Sequence, residues 1–78
     1  MRVMKTYELV TEIFNKCSGN QMRDVFIKEI ETDDPRAYVE NILKSHKEVE
    51  IEEDVRTDTV IFDVVADGLR ERFSFTEV

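Results

Sequence analysis

The sequence predicts an α+β fold ordered ββαβββ, one helix packed on a mainly antiparallel sheet of about five strands. Three observations predict it: a capped amphipathic segment near the middle of the chain, an Asp-Gly turn signal between two apolar runs near its end, and a β-rich opening stretch that can fold back on itself.

The opening stretch TYELVTEIF is dense in β-branched and aromatic residues, which suit a pleated and half-buried surface. Gly19-Asn20 fits a two-residue type II′ turn, giving strands over about 5–17 and 22–32. That turn sets Ser18 opposite Gln21, Cys17 opposite Met22, Ile13 opposite Phe26, Leu9 opposite Ile30 and Tyr7 opposite Thr32. Leu9, Val10, Ile13, Phe14 and Cys17 also have helical spacing, and Ser18-Gly19 could end a helix. The alternative order is therefore αβαβββ.

A helix follows over about 35–46 in TDDPRAYVENILKSH. Asp34 can cap the exposed N–H groups, Pro35 suits the first helical position, and Asp33 favours the positive end of the helix dipole. Tyr38, Val39, Ile42, Leu43 and His46 form one stripe on a helix of 3.6-residue period.

Three strands over about 48–55, 59–66 and 69–77 complete the fold. Asp67-Gly68 tolerates the positive φ that a type I′ turn needs at both central positions. Counting outward pairs Ala66 with Leu69, Val64 with Glu71, Phe62 with Phe73 and Val60 with Phe75, a nearly continuous apolar face. The other face pairs Asp63 with Arg72, an opposite-charge contact that supports the same register. Glu71 is the misfit on the apolar face, and expected to lie near the sheet's end or in something functional.

The 78 residues form a single small globular domain in this reading, near the lower size limit for a core without disulfides or metals. Eighteen acids against eleven bases give a net charge of −7, which repels phosphate backbones and anionic lipid. Neither nucleic acid nor membrane is an expected partner. A lone Cys excludes an internal disulfide, and no apolar run reaches signal-peptide or membrane-spanning length, so a cytoplasmic protein is expected.

Counting faces gives the leading functional expectation. One helix covers one sheet face, yet Val10, Phe14, Val25, Ile27, Ile61 and Val65 fall on the other. Contiguous exposed apolar area marks an interaction site, so the chain reads as a small protein-interaction or accessory domain that self-associates as a homodimer or binds a protein partner. The plainer account is a strongly coiled sheet that buries part of both faces, or an N-terminal segment that is itself a covering helix.

Candidate chemistry is sparse. Cys17 is the one possible reactive thiol, for redox or sulfur-transfer work tuned by Lys16, Arg23, Asp24 or His46, but without a CxxC motif a small buried hydrophobe explains it better. His46 is the only imidazole, and its place on the helix stripe accounts for it. Glu52-Glu53-Asp54 and Asp33-Asp34 lack the regular ligand spacing of a cation loop; the first reads as a solvated edge and the second as a helix start. Arg70 and Arg72 could form a small anion patch. No glycine-rich phosphate loop or catalytic triad order is present, so no enzyme activity, cofactor or metal is expected.

Overall fold

The computed structural model describes residues 3–14 and 23–78. The elements are β1 (Lys5–Phe14), β2 (Arg23–Thr32), α1 (Pro35–Leu43), β3 (Val49–Val55), β4 (Thr59–Ala66) and β5 (Leu69–Glu77). They form one five-stranded sheet in the order β2-β1-β5-β4-β3, with every neighbouring pair antiparallel. The opening segment is thus a strand over its described length, which sets aside the helical alternative. The pairing explains why. β1 is hydrogen-bonded on both sides, to β2 and to β5, and alternation sends Tyr7 and Leu9 into the core while Thr6 and Glu8 point away.

The β4–β5 hairpin has the register that the Asp-Gly turn predicts, from Ala66 opposite Leu69 to Val60 opposite Phe75. Asp67 and Gly68 both adopt positive φ, 49° and 84°, as a type I′ turn requires. The β1–β2 hairpin departs from expectation by two residues: Tyr7 lies opposite Ile30, Leu9 opposite Lys28 and Ile13 opposite Asp24. A two-residue shift leaves every side chain on its expected face. It places the apolar Tyr7–Ile30 pair at the core end of the hairpin, and the unfavourable Ile13–Asp24 pair at the other end. Burial at the core end outweighs matching near the turn. The expected Gly19-Asn20 turn and the Cys17–Met22 pair lie outside the described residues.

β2 and β3 are the two edges of the sheet, so the chain must cross it between them, and α1 makes that crossing. Thr32 turns the chain into the helix: its buried hydroxyl accepts from the Asp34 amide at 3.2 Å. Asp34 Oδ1 then caps the helix, accepting from Arg36 N at 3.1 Å and Ala37 N at 3.3 Å, with Pro35 in the first turn. Arg36 fastens the helix laterally, donating Nε to Glu40 at 2.9 Å and Nη1 to Glu53 of β3 at 3.1 Å.

The helix buries a narrower stripe than its periodicity suggests. Val39 and Leu43 are buried, Tyr38 is partly so, and Ile42 is 44% exposed. The helix also stops at Leu43, and His46 lies exposed beyond it, its amide donating to Leu43 O at 3.0 Å. His46 therefore does not extend the helix stripe. The cause is Asp67, whose carboxylate holds both His46 Nδ1 at 3.0 Å and the Glu48 amide at 2.9 Å, drawing the chain off the helix and into β3.

Under the helix, Phe75 is fully buried and meets three rings edge-on: Phe62 at 5.7 Å, Tyr38 at 5.9 Å and Tyr7 at 6.0 Å between centroids. Leu9, Phe62, Val64, Ala66, Phe73, Val39 and Leu43 complete this core. Each of the Val, Leu and Phe side chains contributes about 1.5–3 kcal/mol on burial, which is how so short a chain holds a fold.

Candidate interaction surface

A nine-residue helix is about 13.5 Å long, whereas ten-residue strands extend about 33 Å. α1 therefore covers only part of its sheet face, packing over β4 and ending beside Val49 and Ile51 of β3, and leaves the β2 side open. On the open side stand Phe26 and Asp24 of β2, opposite Thr11 and Ile13 of β1. Phe26, Lys28 and Thr11, with Ile42 of the helix and Glu71 and the buried Phe73 of β5, border an open groove of about 620 Å³. Glu71, the misfit in the apolar pattern, lines this groove, between Ile13 and Val64.

On the opposite face the register places all six residues expected there: Val10 and Phe14 of β1, Val25 and Ile27 of β2, Ile61 and Val65 of β4. They do not make one continuous patch. Across the middle runs an ionic row, in which Arg72 donates Nε to Asp63 at 2.9 Å and approaches Glu12 at 3.7 Å. The hydrogen bond to Asp63 is the main reason the Arg72 guanidinium holds its proton more tightly than usual, against an opposing effect of partial burial. Phe14 lies beneath two cations, with the Arg70 guanidinium 5.2 Å and the Arg72 guanidinium 5.8 Å from its ring centre. What remains apolar is concentrated at one corner, where Val10 pairs with Ile27 and Val25 follows on the same strand face.

The two sheet edges differ in kind. β3 carries Glu50, Glu52, Glu53 and Asp54, charges that discourage strand-to-strand association. β2 presents three consecutive apolar residues on both of its faces, with Val25 49%, Phe26 58% and Ile27 66% exposed. Sequence reasoning placed Phe26 in the core opposite Ile13. Its face was read correctly, but exposure depends on which strands the helix lies over, which alternation does not encode.

The remaining candidates separate in space or fall outside the described part. Cys17 lies outside the described residues. His46 is engaged by Asp67, whose carboxyl is held below the usual range chiefly by the Glu48 amide and then by the His46 ring. Arg70 and Arg72 do share the face opposite the helix, but Arg72 is already bonded to carboxylates and Arg70 borders a cleft with Glu50, Glu52 and Asp63. An arriving anion meets more negative than positive charge there. Among the described residues no group of three or more His, Cys, Asp or Glu is placed to hold a metal ion, and no helix is long and apolar enough to cross a membrane. Comparison with protein-family models, curated proteins and solved structures finds no match.

Proposed function

We propose that this chain is a protein-interaction or accessory domain that self-associates through the corner of the sheet formed by β1 and β2, on the face opposite the helix. The observation that carries the proposal is the exposure of Val25 and Ile27 beside Val10, an apolar cluster on an otherwise acidic protein. Its size supports the reading, because a 78-residue domain with a helix covering only part of one face gains most from burying further apolar surface against another chain. The lone cysteine fits a reducing, cytoplasmic setting.

The test is sedimentation velocity over a range of concentrations on the wild type and on Val25→Glu, Ile27→Glu and Ile61→Glu, each checked for fold by circular dichroism. The proposal expects the first two to shift the protein toward monomer and Ile61→Glu, two strands away from Val10 on β4, to matter less. If none of the three changes the association state of a folded protein, the face is not the interface.

A further inference from the structure

The occupant of the β2 edge can be argued from the strand itself. From residue 23 to 29 it reads Arg-Asp-Val-Phe-Ile-Lys-Glu, a pattern in which charge is reversed about its centre. Two antiparallel copies of a strand are related by a two-fold axis perpendicular to the sheet, which keeps every side chain on its own face and must pass through a residue position. With that axis at Phe26, Phe26 meets its own mate, Val25 meets Ile27 and Asp24 meets Lys28. Every opposed pair is apolar with apolar or acid with base. Moving the axis to Val25 sets Asp24 against Phe26, and moving it to Ile27 sets Phe26 against Lys28 and Val25 against Glu29. Placing it at Asp24 or Lys28 opposes like charges. Only one register is self-complementary.

We infer that β2 pairs antiparallel with β2 of a second copy of this chain, with Phe26 on the two-fold axis. This rests on the self-association reading above and names its strand and register. The two five-stranded sheets join into one continuous sheet with both helices on the same side. The outer ladder positions of β2 become paired, and the exposed Val25, Phe26 and Ile27 of both copies are covered. The acid-guarded β3 edges remain outermost and stop further growth.

Charge reversal tests the register. Asp24→Lys opposes lysines at two symmetric places, and Lys28→Glu opposes acids at the same two places. Each is expected to raise the dimer dissociation constant at least about tenfold in sedimentation experiments at low salt. Asp24 also has a partner within its own chain, so the deciding arms are restorative. An equimolar mixture of D24K and K28E re-forms the opposite-charge pairs between unlike chains, and the double variant re-forms them between like chains. Both are expected to recover dimer to near the wild-type level. The inference is overturned if the single variants associate like the wild type, or if neither restorative arm recovers what they lose. Dimer that persists through these swaps but is lost on Val10→Glu removes the edge pairing and leaves the face reading standing. A wild type that stays monomeric at every concentration removes both.

Discussion

Asp67 shows how much one residue can organise in a short chain. Its backbone takes the positive φ of 49° that opens the β4–β5 turn, and its carboxylate accepts from the Glu48 amide and holds the His46 ring, fixing where the chain leaves α1 and enters β3. Because those contacts hold its pKa below the ordinary carboxylate value, the native protein binds this proton less readily than the unfolded chain. The resulting stability is present above the unfolded value and is lost as pH falls through the lower native one. Urea midpoints are therefore expected to fall for Asp67→Asn relative to wild type at pH 6, with the gap narrowing as the pH is lowered below the ordinary carboxylate value; a gap independent of pH contradicts the assignment. At the other end of the helix, Asp34→Ala removes the acceptor for two amides and is expected to cost about 1 kcal/mol in the same measurement. Both turn roles were legible in the sequence, since Asp-Gly and Asp-Pro are local signals. The tie from Asp67 to Glu48 was not, because it joins residues that only the folded sheet brings together.

At the scale of elements, strand order was hidden while strand identity was plain. Period-two alternation and turn residues locate each strand, but nothing local says that β1 lies between β2 and β5. The β1–β2 register shows the same division. Local matching favoured Ile13 opposite Phe26, whereas burial of Tyr7 with Ile30 at the core end sets the register two residues away. The helix was recognised by its cap and stripe, yet its end at Leu43 depends on a contact from the distant Asp67, and the exposure of Ile42 and Phe26 depends on where the helix lies over the sheet. The core itself hinges on Phe75, where β1, β4, β5 and α1 converge on one ring. Phe75→Ala is expected to cost about 3–5 kcal/mol, a large share of what a small domain has, so its cooperative unfolding transition should move to much lower urea or vanish. A midpoint near wild type contradicts the placement of this ring at the centre of the core.

For the whole molecule the decisive property is the contrast between its two edges. Four acids along β3 keep that side in water, while β2 carries apolar residues on both faces within a charge pattern that complements itself under two-fold rotation. The sequence contained this pattern in full. It acquires meaning only once the fold puts β2 at an edge and a short helix leaves Phe26 uncovered. The most direct measurement is cross-linking at the axis. In antiparallel pairs opposed Cα atoms lie about 4.5–5.5 Å apart, within disulfide reach. With Cys17→Ser removing the native thiol, Phe26→Cys is expected to oxidise in air to a covalent dimer, and Val25→Cys, whose opposite number is Ile27, to remain largely monomeric. Equal cross-linking at the two positions, or none at Phe26→Cys, contradicts the pairing.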